Sequence, residues 1–165
     1  MNTYFPISIT HKGETLYAIW YSKDTEGLVC KDGRLATFRD LPALLAYAET
    51  HTPDISPDLH KAYDLDALAE FCEDVDRYAS TDELDHWALF ADLAVGIGKS
   101  FAGGGNSFQL NDIYEKLCMA GIDFGDDLDE TDTRFDLTPE EESLTKAVLK
   151  TGIELYAKYH GDPIS

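Results

Sequence analysis

The stretch YFPISITHKGETLYAIWYS, Tyr4 to Ser22, reads as two strands and the turn between them. Phe5, Ile7 and Ile9 fall on one face at a period of two, HKGE interrupts the pattern, and TLYAIWYS restores it with apolar and aromatic residues. The hairpin is apolar on both sides: Leu16, Ala18 and Trp20 form one alternate set, and Tyr17, Ile19 and Tyr21 form the other. A loop or helix can cover the second face. Left open, that face would present tyrosines to a protein partner, because large aromatic side chains are effective interface anchors.

Working outward, KDTEG turns the chain into LVCK, and Asp32-Gly33 is the dipeptide favoured where both central residues of a tight turn need positive φ, ahead of RLATF. The expected product is a four-stranded antiparallel meander. Pro6 has no N–H for a ladder, which places the first strand at an edge.

From Asp40 the period becomes helical. Asp40 caps LPALLAYAETH, whose Leu41, Leu44, Leu45 and Ala48 share one side. The proline-containing HTPDISPDLHK interrupts, and DLDALAEFCEDVDRY follows with Leu65, Leu68, Phe71, Cys72 and Val75 as its buried stripe. Ser80 and Glu83 stand at capping-box spacing before a helix that is apolar nearly all round, through Leu84, Trp87, Leu89, Phe90, Leu93, Val95 and Ile97. A fourth helix is expected from Asn106 to Gly121. A fifth has Thr138 as cap, Pro139 at its first position and Leu144, Val148, Leu149, Ile153 and Tyr156 along its face, closing at Gly161-Asp-Pro163. The fold class is therefore α+β: an N-terminal four-stranded antiparallel meander, then about five helices packed on one face. One domain spans 1–165, with the sheet in 4–38 and the helical part in 40–161.

The 165 residues suffice for one core, and 44% apolar content excludes a largely disordered chain. The 32 acidic residues outnumber 13 Lys and Arg, for a net charge of -19. Such a field repels phosphate backbones and anionic lipid and speeds encounter with basic partners, so neither nucleic acid nor membrane is an expected partner. Cys30, Cys72 and Cys118 are odd in number and widely spaced, in apolar or helical contexts, and read as reduced core thiols. With no signal-peptide pattern at the start and no membrane-length apolar run, the expected location is the cytoplasm.

AVGIGKSFAGGGNSF, Ala94 to Phe108, resembles a phosphate loop, but Leu93 stands where the motif needs its first glycine. The segment before Gly98 is helical, so the loop lies at a helix C-terminus, where the dipole repels phosphate. The same context defeats Gly98-Lys-Ser100-Phe-Ala102 as a nucleophile elbow. Five histidines show no zinc-ligand spacing, and a calcium loop beginning at Asp129 would carry Arg134 where glycine is required, so no metal or other cofactor is expected. Asp82 and His86, four apart, read as a surface helix pair.

Two acidic tracts remain. Asp123 to Glu142 holds ten acidic residues and one Arg, and a ridge runs through Glu70, Glu73, Asp74 and Asp76 to Asp82, Glu83 and Asp85. Like charges this close cost stability, which a binding role would justify.

A small acidic domain without a catalytic constellation, whose N-terminal third reads LYAIWYS and KDGRLATFRDLPALLAYAE as hairpin, Asp-Gly turn, strand and Ala/Leu helix, resembles the immunity proteins encoded beside polymorphic bacterial toxins, including those of contact-dependent growth inhibition. The resemblance implies a cognate, nuclease-type toxin domain whose basic substrate cleft is masked by an acidic surface, and no enzymatic activity. It transfers no residue by motif. Charge alone selects Asp126, Asp127, Asp129, Glu130 and Asp132 as the electrostatic set, with Tyr17 and Tyr21 as anchors. The alternatives are a small hydrolase or transferase using Ser100 or His86, and an acidic regulatory protein that mimics nucleic acid.

Overall fold

The computed structural model describes residues 3–22, 26–52, 54–74, 81–99, 101, 113, 115–116 and 137–164. Strands β1 (Thr3–His11) and β2 (Glu14–Ser22) form the expected hairpin, with Phe5 opposite Trp20, Ile7 opposite Ala18 and Ile9 opposite Leu16. Lys12 and Gly13 take φ of 52° and 74° at its turn, and both their amides donate to the carboxylate of Asp66, at 2.7 and 2.9 Å. Those two bonds hold the carboxyl of Asp66 below the usual aspartate range, Gly13 being the larger influence.

The meander is corrected. Strand β3 (Gly27–Leu28) pairs with Trp20 and Tyr21, but β4 (Cys30–Lys31) and β5 (Arg34–Leu35) form a separate two-stranded ribbon. Its tight turn has Asp32 and Gly33 at φ 56° and 76°, as the dipeptide predicts. The chain then returns to β2, where Tyr17 and Phe38 exchange two backbone bonds of 2.8 Å. The last residues run alongside this return: Gly161 donates to the carbonyl of Leu35 and Ile164 to that of Thr37.

The fourth strand of the main sheet is β6 (Lys61–Asp64), parallel to β1 in the order β3-β2-β1-β6. It arises from a segment that reads as an interruption, four residues being too few to show a period. Pro6 consequently lies in an interior strand, not an edge. Tyr17 and Ile19 bond away from β1, so their opposite numbers Ser8 and Pro6 direct their backbone polar groups toward the β6 side. The ladder with β6 begins only at Ile7, and Pro6 contributes just its carbonyl, accepting from His60 at 2.8 Å.

Helix α1 (Leu41–His51) starts where Asp40 accepts from the Ala43 amide at 2.8 Å. It covers the second sheet face, building a cluster of Ile19, Phe38 and Leu44 with Tyr4, Tyr17 and Tyr47 around it. The helices are thus not all on one face, because a doubly apolar hairpin needs cover on both sides. Helices α2 (Leu65–Glu73), α3 (Thr81–Ile97) and α4 (Pro139–Tyr159) seal the other face. Asp64 caps α2, and Thr138 with Glu141 closes the expected capping box on α4, at 3.2 and 2.9 Å. Cβ at Gly152 would lie 2.0 Å from Phe90, so α4 approaches α3 more closely than any larger residue permits.

Leu65, Leu68, Phe71 and Cys72 are buried as their spacing predicts, whereas Val95, expected within the apolar girdle of α3, is 80% exposed. Most of the expected fourth helix, together with Val75 and Ser80, lies outside the described residues; its Ile113 is buried in the main core. No helix among the described residues is long and apolar enough to cross a membrane.

Candidate functional site

Asp126, Asp127, Asp129, Glu130 and Asp132 lie outside the described residues, as do Ser100 and Cys118. Tyr17 is half-buried in the cluster under α1, so it is not displayed on an open sheet face. Tyr21 is also half-buried, with its ring 6.0 Å from that of Tyr4 and its hydroxyl 2.5 Å from where a Cβ on Gly27 would lie.

Ala94 to Lys99, the part of the glycine-rich segment that leads up to Ser100, is a helix end. Helix α3 runs to Ile97, Gly98 takes φ 69°, and the Lys99 amide donates to the Ala94 carbonyl at 2.9 Å. Lys99 places its ammonium 5.4 Å from the ring of Tyr159, at the end where the α3 dipole favours a cation. The half-buried His86 sits edge-on to Tyr63, centroids 5.4 Å apart. Burial pushes the thiols of Cys30 and Cys72 up to about 11, which suits the reduced core role and not a nucleophile.

Two features stand out on the surface. The first is the outer side of α2, where Glu70 and Glu73 are exposed and line a shallow groove with Ala69 and Asp74. Glu73 meets Lys150 at 2.6 Å, while no cation among the described residues matches Glu70.

The second is a cleft of about 190 Å³ between the sheet and the middle of α3. One wall is a single helical stripe, Asp85, Ala88, Leu89 and Asp92, spaced i, i+3, i+4 and i+7. The other wall comes from Trp20 on β2, His60, and Lys61 and Tyr63 on β6, with Glu26 at the rim. Trp20 and His60 stack at 5.4 Å with planes 8° apart, and Phe5 packs against both, at 5.5 and 4.8 Å. Lys61 pairs with Asp85 and lies 5.5 Å from the centroid of Tyr63.

Asp92 accepts from the Trp20 indole at 3.3 Å. Burial nevertheless raises its carboxyl above the usual range, and Glu26 adds to the rise. Burial, with Asp85 and Asp92 nearby, pushes the Tyr63 hydroxyl up to about 12. No local sequence pattern marks this cleft, because its parts come from three distant segments. Its visible signal is Asp92 itself, a lone carboxylate inside the apolar run LFADLAV.

Among the described residues no group of three or more His, Cys, Asp or Glu converges as a metal site. Comparison with protein-family models, with curated proteins and with solved structures gives no match to this chain.

Proposed function

We propose that the chain is a non-enzymatic protein-binding inhibitor of the immunity class, which neutralises a cognate nuclease-type toxin domain by laying carboxylates over its basic substrate cleft. The observation that carries this reading is the combination of a net charge of -19 with acidic side chains presented outward on α2. A solvent-facing Glu70, which has no matching cation among the described residues, adds repulsion beside Glu73 without contributing to packing, and a basic partner would offset that cost. The segment from Asp126 to Asp132 adds charge to the same surplus, with Tyr17 and Tyr21, both half-buried, as the anchors. The electrostatic contribution acts mainly on encounter: a negative surface raises the association rate with a cationic domain and makes that rate salt-dependent.

The experiment is stopped-flow association, across a salt series, with a nuclease-type toxin domain, which this reading requires to be encoded beside the chain. Replacing Asp126, Asp127, Asp129, Glu130 and Asp132 by their amides is expected to slow association at low salt by about tenfold or more and to flatten the salt dependence. An unchanged rate and slope would remove the acidic segment from the mechanism, and absence of any complex would overturn the reading itself.

A further inference from the structure

The cleft between β6 and α3 goes beyond that reading, because its chemistry stands whatever the acidic segment does. We propose that it is a receptor for one organic cation, a guanidinium or alkylammonium head group, with Asp92 as the principal acceptor and Trp20, His60 and Tyr63 as walls.

Charge sets the sign of the ligand. Glu26, Asp85 and Asp92 face a single ammonium, Lys61, and that ammonium is already engaged by Asp85, so the cleft carries a net negative charge that favours a cation over an anion. Size sets its scale: about 190 Å³ is less than the roughly 300–1,000 Å³ of clefts that enclose drug-sized molecules, and matches a head group and not a nucleotide. The small side chain of Ala88, midway between the two aspartates, leaves this space open.

Asp92 shows what is missing. An ionised carboxylate has about four acceptor positions. Among the described residues Asp92 is given one donor, the neutral Trp20 indole, at the long distance of 3.3 Å. A half-buried charge in that condition costs free energy until a charged donor arrives, and a guanidinium supplies two parallel N–H groups in the geometry a carboxylate prefers. Lys61, lodged between Asp85 and the ring of Tyr63, shows a cation already accommodated against the same walls. A metal ion fits less well. Asp85 and Asp92 sit two helical turns apart, roughly 10 Å along the axis, and cannot share an ion whose oxygen ligands lie about 2.3–2.6 Å away.

The same chemistry has two sources, a side chain of a partner protein or a free guanidino or amino compound. The test uses the full chain labelled with ¹⁵N, following the Trp20 indole N–H resonance, which reports directly on the bond to Asp92. N-acetyl-arginine amide is expected to shift it, and the neutral isostere N-acetyl-citrulline amide is not. Asp92→Asn should weaken the arginine derivative at least about tenfold. Ala88→Leu, which fills the cleft and keeps every charge, should abolish the shift while the spectrum stays dispersed. A basic arginine-containing peptide binding at least about tenfold tighter than the amide assigns the cation to a partner protein, and equal affinity assigns it to a small molecule. An unmoved Trp20 resonance, equal binding by Asp92→Asn, or equal response to citrulline overturns the proposal. None of these outcomes touches the salt-dependence test, so the two readings fail separately.

Discussion

On one side of the β1–β2 hairpin, Ile7, Ile9 and Ala18 belong to a core with twenty buried members among the described residues; on the other, Ile19, Phe38 and Leu44 are the three buried members of a cluster under α1. The first face is sealed by three helices that also pack on one another. The second is covered by a single helix, and its border is made of half-buried tyrosines, Tyr4, Tyr17 and Tyr47. Both faces are apolar in sequence, yet the amount of cover differs, and with it the stability each side contributes. Opening free energy should follow this asymmetry, with α1 as the element that detaches first.

The strongest way to break this comparison is a pair of truncations. Phe90 is fully buried between α3 and α4, against Gly152, and Phe90→Ala should cost about 3–5 kcal/mol, as large-to-small changes in a closed core do. Leu44 is equally buried, but it projects from α1, the single helix over that cluster, and the helix can settle into the space, so Leu44→Ala should cost about 2 kcal/mol, the low end for such changes. Urea titrations of both variants measure the difference. Equal losses would show that the two clusters form one energetic unit.

A smaller perturbation sharpens the point by acting on the cover alone. Asp40 supplies the side-chain cap of α1 and touches neither core, so Asp40→Ala should lower global stability by about 1 kcal/mol. Its larger signature is local. Amide exchange along α1 should accelerate while exchange in α3 and α4 barely changes, and a uniform acceleration across all helices would contradict separate opening.

The sequence is legible where a local rule decides and silent where distant segments meet. The Asp32-Gly33 turn, the Asp40 cap, the Thr138 capping box and the buried stripe of α2 from Leu65 to Cys72 each depend on a few neighbouring residues, and each is realised. Strand β6 and its parallel pairing depend on a contact between Ile7 and Lys61 that no local pattern encodes. The central position of Pro6 follows from that pairing, so an edge assignment based on the missing N–H fails with it. Val95 faces solvent because helical rotation, and not hydrophobicity alone, selects the buried side. The cleft is the extreme case: Trp20, His60 and Asp92 have no sequence relation, and only the crossing of α3 over the strand ends brings them together.

The faintest expected effect separates two aspartates at different ends of the well-covered face. Asp66 ties the hairpin turn to α2 and has its carboxyl lowered by the amides of Gly13 and Lys12; Asp92 borders the cleft and has its carboxyl raised by burial. For Asp66, the unfolded chain takes up a proton before the native one does. Its contribution is complete above the ordinary aspartate value of about 4 and is lost as pH falls through the lowered native value. Asp92 works in reverse. The native protein keeps a proton that the unfolded chain has released, so stability declines as pH rises from about 4 through the raised native value. Asp66→Asn should therefore lower the thermal midpoint at neutral pH and flatten the acid limb. Asp92→Asn, whose amide oxygen can still accept from Trp20, should leave the neutral midpoint equal or higher. Midpoints measured from acid to neutral pH distinguish them, and a loss at neutral pH from Asp92→Asn equal to that from Asp66→Asn would mean that the cleft carboxylate is satisfied within the fold and needs no cation from outside.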